Sequence, residues 1–421
     1  MTSTMRWRMC VRVAAVALAA ALGATANATS TATADDLPAL SETDQYIHEI
    51  LPARASDPRL GPDLTGLVTD ATTGRILWSQ RRLTRQLPAS TTKLVTAVNA
   101  LETFGPAHRF TTEVRIGPDR RRVVLVGGGD PSLSGTDLST LATTTAAALK
   151  VQAVPDVTVY VDDSLFPAPS RAYGWLPAYV GRDVRPVRAL VVNQRGAWDT
   201  SIDAGKVFAA KLAARGIAVR KVVRGRTPAG SQTAAQVQGK TLDVIVATML
   251  QKSDNDYAEA LHRLVANQLG YHTTWWGAAV AQREVLAKLG VDLGTSKLYD
   301  GSGLSRAGRL TAAQLVAVMN LAFNSNYPKL ASLQAGALPI AGQTGTLGPK
   351  YRRYTTTPTK CAAGLVQAKT GTLRGSITLS GFARGADGQI KLFAFLVNGM
   401  PTTLTTRRAV DRLAATVTGC Y

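Results

Sequence analysis

A chain of 421 residues is too long for one simple core, so two domains are the default, and a composition of 45% hydrophobic and 18% charged residues excludes a disordered protein. The formal net charge of +20 speaks to association with nucleic acid, anionic membrane or acidic polymer rather than to fold. The basic clusters, Arg120-Arg121-Arg122 and Arg220-Lys221 with Arg224 and Arg226, sit among valines rather than stacking aromatics, which argues for solvated strand edges and against nucleic acid.

At the start of the chain, Arg6, Arg8 and Arg12 precede an apolar stretch over 13–22, and small residues follow at Ala24, Ala26 and Ala28. This is the layout of a secretory signal peptide, 1–28, cleaved after Ala26 or Ala28. Neither this stretch nor any later one is long enough to span a bilayer, so the mature chain is expected to be exported without a transmembrane anchor. Cys10 is badly placed for lipid attachment, and its removal leaves Cys361 and Cys420. In an oxidising compartment the pair reads most simply as a disulfide worth about 4 kcal/mol, with two unrelated thiols as the alternative. The four histidines, His48, His108, His262 and His272, show no ligand spacing, and Glu259 with His262 is a common helical coincidence, so neither metal nor cofactor is expected.

Residues 29–40 read as a flexible leader. Ser41 opens a helix with Asp44 at the capping-box position, and segments 66–70 and 75–79 flank a turn to make a hairpin. A proline-punctuated stretch then gives way near Ser90 to a helix. Short Val-rich strands follow at 112–116, 122–126 and 157–161. Helical periodicity marks 205–215, 242–250, 280–289 and 311–323; strands at 365–369, 377–383 and 391–398 form a meander, and 405–417 is a closing helix. Strands at both ends with helices between them predict one α/β domain, discontinuous over 41–105 and 236–421, interrupted by a β-rich insertion over 106–235.

Three short segments carry chemistry. Ser90-Thr91-Thr92-Lys93 places a hydroxyl and an amine on one helix face, where a neutral lysine can take the serine's proton; by itself this is also the pattern of a capping serine and a surface lysine. Ser253-Asp254-Asn255 follows a helix and is ordinary turn chemistry. Lys369-Thr370-Gly371-Thr372 reads as a strand leaving its sheet. Their joint occurrence in this order is far more specific than any one of them.

Together the three motifs resemble those of the active-site serine penicillin-recognising enzymes. The surrounding Gly127-Gly128-Gly129-Asp130-Pro131-Ser132-Leu133, Asp300-Gly301-Ser302-Gly303-Leu304-Ser305-Arg306 and Leu338-Pro339-Ile340-Ala341-Gly342 are similar to the D-alanyl-D-alanine carboxypeptidase/endopeptidase group, low-molecular-mass class C, peptidase family S13. The resemblance implies a transpeptidase/serine β-lactamase-like fold, an antiparallel sheet flanked by helices, with peptidoglycan stem peptides as substrate and β-lactams as inhibitors. It implies Ser90 as nucleophile, Lys93 as base, Ser253 as proton relay, Asn255 as ligand of the substrate carbonyl and Lys369 as the cation beside Ser253. Thr370 and Thr372 would hold the terminal carboxylate, and the amides of Ser90 and Thr372 the oxyanion. A neutral Lys93 requires a depressed pKa, for which Lys369 is the expected cause. Gly371 is expected to open the strand edge to substrate.

Only 160 positions separate Lys93 from Ser253, fewer than the family's two nested insertions need, so the second nested domain is expected to be reduced or absent. Gln343-Thr344-Gly345-Thr346 echoes the third motif without its cation, so the resemblance implies a family loop near the site rather than a second site, and Asp300-Gly301-Ser302-Gly303 lacks the third glycine of a dinucleotide loop and reads as a turn. A serine β-lactamase, an esterase and a non-catalytic wall-binding protein are the other readings of the same motifs.

Overall fold

The computed structural model describes residues 38–193 and 195–421; the expected signal peptide and almost all of the leader lie outside the described residues. Helix α1 (Glu42–Ala55) begins at the expected capping box, with the Ser41 hydroxyl accepting from Asp44 N at 3.0 Å and the Asp44 carboxylate accepting from Ser41 N. Strands β1 (Thr65–Asp70) and β2 (Ile76–Gln80) form the expected hairpin, and the Asp70 carboxylate accepts from Thr72 N and Thr73 N within its turn.

Helix α2 (Thr92–Phe104) follows a 3-10 turn, Ala89–Thr91. Its first ten residues are all buried, so it is a central helix rather than a surface one, and that alone carries Lys93 into the interior.

The next 130 or so positions, expected to be β-rich, build a mixed α/β layer. Strands β3 (Arg109–Ile116) and β4 (Arg122–Val126) pair antiparallel. Helix α3 (Gly135–Val151) then crosses over to β5 (Asp156–Asp162), and α4 (Thr200–Ala213) to β6 (Ala218–Arg224), with both strand pairs parallel. Strand β7 (Gln232–Thr241) returns antiparallel to β3, giving the order β6-β5-β4-β3-β7. Val123, Leu125, Val157, Val159 and Val161 pack under Leu138, Leu141 and Phe208. Periodicity misses α3 because it is rich in threonine, a poor helix former; Thr140, Thr143 and Thr144 each donate back to the carbonyl four residues earlier.

Strand β7 runs straight into α5 (Leu242–Lys252), and α6 (Asn255–Gln268), α7 (Trp275–Lys288) and α8 (Ala312–Asn320) follow. The meander is β8 (Val366–Leu373), β9 (Ser376–Arg384) and β10 (Ile390–Asn398), which completes an all-antiparallel sheet in the order β2-β1-β10-β9-β8; α9 (Leu404–Val417) closes the chain. The alternation in β10 divides two cores. Leu392, Ala394 and Leu396 face the α2 and α5–α8 side, whereas Phe393, Phe395 and Val397 face α1 and α9. Residues from Leu40 onward form one compact unit. No helix among the described residues is long and apolar enough to cross a membrane.

Cys361 and Cys420 form a disulfide with Cα atoms 5.9 Å apart, fastening the turn Thr359–Ala362 to the end of the chain. Its loop spans 59 positions, so replacing both cysteines with serine is expected to lower the unfolding free energy by about 4 kcal/mol. Urea denaturation measures this, and an unchanged midpoint contradicts it.

Candidate active site

Ser90 lies in the 3-10 turn ahead of α2, where Ala89 holds a left-handed φ of +48°. That conformation disfavours a residue with a Cβ and is held in place by contact: a Cβ on Gly303 would come within 1.9 Å of the Ala89 carbonyl oxygen. The Ser90 hydroxyl caps nothing and instead accepts from Lys93 Nζ at 3.2 Å, which sets aside the capping-serine reading. Lys93 Nζ also donates to Asn255 Oδ1 at 2.6 Å and to the Ser302 carbonyl at 2.8 Å. All three of its donor positions are therefore used, and its aim at Ser90 is fixed.

The turn 300–305 is more than a connection. Asp300 accepts from Trp175 Nε1 and Ser305 N at 2.7 Å and from Gly303 N at 3.1 Å, and Thr96 of α2 donates to the Gly301 carbonyl. Glu259 of α6, considered above only as a metal partner, accepts from Gly301 N at 3.0 Å and Ser302 N at 2.8 Å. It thereby presents the Ser302 carbonyl to Lys93. Burial and the nearby Asp300 carboxylate raise the Glu259 carboxyl to about 8.

Burial lowers the Lys93 ammonium to about 8, against the pull of Glu259, Asp300, Asp254 and Asp256. The expected depression is present, but its first cause is burial rather than Lys369. The influence runs the other way: Lys369 is pushed well down by its own burial and next by Lys93.

Ser253 caps the C-terminus of α5 in a left-handed conformation, φ +57°, while Asp254 caps α6 by accepting from Tyr257 N. A non-glycine residue in that region points to strain retained where a side chain has to be aimed. The Ser253 hydroxyl accepts from Lys369 Nζ at 3.0 Å. Lys369 is fully buried inside β8 rather than at its end, and also donates to the Thr370 carbonyl at 2.7 Å. Asn255 is pinned from both ends, with Oδ1 on Lys93 and Nδ2 donating to the Asp183 carbonyl at 2.7 Å.

Strand β8 pairs with β9 on one side. Its other side is covered only near its start, where Ala341 N bonds Val366 O and Ala368 N bonds Pro339 O, so the Thr370–Thr372 stretch remains an open edge. Gly371 corrects an expectation. A Cβ there would lie 2.0 Å from Thr378 Oγ1, 2.9 Å from the Pro88 carbonyl and 3.1 Å from Ser90 N, so the glycine lets β8 press inward on the nucleophile's turn instead of clearing an outer path for substrate.

Ser90, Ser253, Thr370 and Thr372 line one cavity of about 220 Å³. Thr346, from the segment that echoes the third motif, also lines it, and its hydroxyl lies 2.7 Å from that of Thr370. Tyr351, Arg353 and Arg407 complete the wall. Nothing in the order of the chain singles out these last three; Arg353 is held by Asp411 of α9, and Arg407 belongs to α9 itself. Glu259 and His262 do not form a ligand pair, since the Glu259 carboxylate is taken by backbone amides. No cluster of three candidate metal ligands occurs among the described residues.

The chemistry available here is acyl transfer. Two hydroxyl–lysine pairs and an open strand edge converge on one cavity, and no carboxylate is among the residues that line it.

Comparison with known proteins identifies the family and the fold. The family model described as the D-Ala-D-Ala carboxypeptidase 3 (S13) family matches residues 47–197 and 190–417. The chain is 35% identical over 405 residues to a protein named carboxypeptidase DacB from Mycolicibacterium smegmatis, covering 91% of this chain and 86% of that one. It is 29% identical to a D-alanyl-D-alanine carboxypeptidase of Actinomadura, covering 84% and 81% respectively. In fold it is similar to penicillin binding protein 4 (dacB) of Haemophilus influenzae, with a TM-score of 0.71 at 22% identity over 88% of this chain and 98% of that one; the same protein complexed with a β-lactam gives 0.68.

Proposed function

The chain belongs to the D-Ala-D-Ala carboxypeptidase 3 (S13) family, and from that premise we propose that it is an exported serine-type D-Ala-D-Ala carboxypeptidase, acting on peptidoglycan stem peptides through an acyl-enzyme on Ser90. Neutral Lys93 takes the Ser90 proton as Oγ bonds to the penultimate D-alanine carbonyl. Negative charge then builds on the carbonyl oxygen, between the amides of Ser90 and Thr372. The C–N bond breaks as Ser253, polarised by Lys369, passes its proton to the departing D-alanine nitrogen and takes in its place the proton that Lys93 had accepted. Water next attacks the ester as Lys93, neutral again, takes its proton; the C–Oγ bond breaks and Lys93 returns that proton to Ser90. Asn255 offers its remaining N–H to the substrate's amide carbonyl, and the open edge of β8 takes the extended peptide as an added strand.

The observation that carries this reading is the pair of hydroxyl–lysine contacts, Ser90 with Lys93 at 3.2 Å and Ser253 with Lys369 at 3.0 Å, opening into one cavity. The cavity wall carries no carboxylate to drive deacylation, which favours a long-lived penicillin adduct over β-lactamase turnover. The strands and helices between β3 and β7 are proposed as the single insertion of the family fold. The purified chain is expected to release D-alanine from a pentapeptide ending in D-Ala-D-Ala. Chromatography of the products checks this, and a cross-linked stem-peptide dimer offered in parallel reads any endopeptidase activity. No released D-alanine overturns the proposal.

A further inference from the structure

Four basic side chains stand at or beside the cavity, and three are already engaged, the first being Lys93 on Ser90 Oγ, Asn255 Oδ1 and the Ser302 carbonyl. Lys369 donates to Ser253 Oγ and to the Thr370 carbonyl. Arg353 is held by both oxygens of Asp411 in a pair that is 5% and 0% exposed. Arg407, in the first turns of α9, has no such partner. Its Nε is buried without a hydrogen bond, and among the described residues no carboxylate lies within ion-pairing distance of it.

We propose that Arg407 receives the terminal carboxylate on the leaving side of the scissile bond, alongside the hydroxyls of Thr370 and Thr372, and so sets the preference for a substrate with a free carboxyl end. This rests on the proposed function and deepens it. A guanidinium holds its charge at physiological pH and offers paired N–H donors that match a carboxylate, whereas an ammonium depressed by burial, as Lys369 is, makes an undependable counter-ion. Burial and the neighbouring Arg353 both disfavour charge on Arg407, more than Asp411 favours it. An arriving carboxylate relieves this partly buried cation and can accept from its unpartnered Nε. The N-terminal end of α9 adds positive potential on the same side. The Thr346–Thr370 hydroxyl contact, at 2.7 Å, orients the Thr370 hydroxyl at the cavity wall.

The experiment compares two peptides that differ only at the end, D-Ala-D-Ala acid and its C-terminal amide, by kcat/KM on the full mature chain. Wild type is expected to prefer the acid. Arg407→Gln is expected to shrink the acid-to-amide ratio by roughly 100-fold, with the loss falling on the acid. Arg407→Lys, which keeps the charge but loses the fork, is expected to keep a ratio between the two. If the Gln variant does not fold by circular dichroism, the Lys variant decides: an undiminished ratio there overturns the inference. An undiminished ratio in a folded Gln variant overturns it as well, as does an equal loss on both peptides. These outcomes leave the proposed function standing, whereas a wild-type chain that cleaves neither peptide overturns both.

Discussion

A Ser90→Ala chain is expected to carry no covalent benzylpenicillin after incubation, where the wild type gains the mass of one molecule, and to lose D-alanine release by ~10⁴-fold or more. The expectation follows from where the hydroxyl sits. It is the acceptor of Lys93 at 3.2 Å, it lines the cavity, and it caps no helix, so its removal takes away a nucleophile and very little structure. Near-wild-type thermal stability should accompany the loss. Intact-mass spectrometry decides the matter: an adduct on the alanine variant would assign the acylation to another residue, Ser253 first among them. A wild-type chain that stays unmodified would favour the non-catalytic wall-binding reading, and rapid release of hydrolysed penicillin the β-lactamase one.

The parts of the site that could be read from the chain are those whose chemistry is local. Ser90 and Lys93 sit one helical turn apart, Ser253 and Asn255 flank a helix junction, and Lys369 belongs to a run of small hydroxyl residues. Each needs only its own neighbours to be noticed. The structure brings all five to one place by different routes, through a central helix, a cap and an inner strand. The roles of Glu259, Ser302, Arg353 and Arg407 were out of reach for the opposite reason. Their significance depends on burial and on partners 42 to 58 residues away for Glu259 and Arg353, or farther still for Ser302. The same contrast holds for the fold. The antiparallel sheet was legible because its strands are short apolar runs bounded by Gly-containing turns, while α3 was hidden by threonines that its buried leucines override. The cause of the lysine depression was misassigned on similar grounds, since a nearby cation can be inferred from a motif but complete burial cannot.

Lys93 ties that burial to the rate. With its ammonium lowered to about 8, the base is mostly protonated at neutral pH, so the second-order rate of acylation by benzylpenicillin is expected to rise about tenfold per pH unit below the midpoint and to level off above it. Lys93→Met is expected to lower that rate by ~10³-fold or more and to abolish the rise. The same burial has a stability sign. A lysine whose folded pKa lies below its unfolded value of 10.5 releases its proton on folding between about pH 8 and 10.5, so the folded state gains stability across that window and carries a cost of about 3 kcal/mol below it. Measured by urea denaturation, the stability of wild type relative to Lys93→Met should therefore increase by about 3 kcal/mol as pH rises through that window. A flat difference would mean that Lys93 keeps an ordinary ammonium, and an acylation rate independent of pH would remove it as the base. If the two profiles move together, one property of the fold accounts for both: the central helix that hides Lys93 from water makes it a base, and the folded state carries that cost at neutral pH.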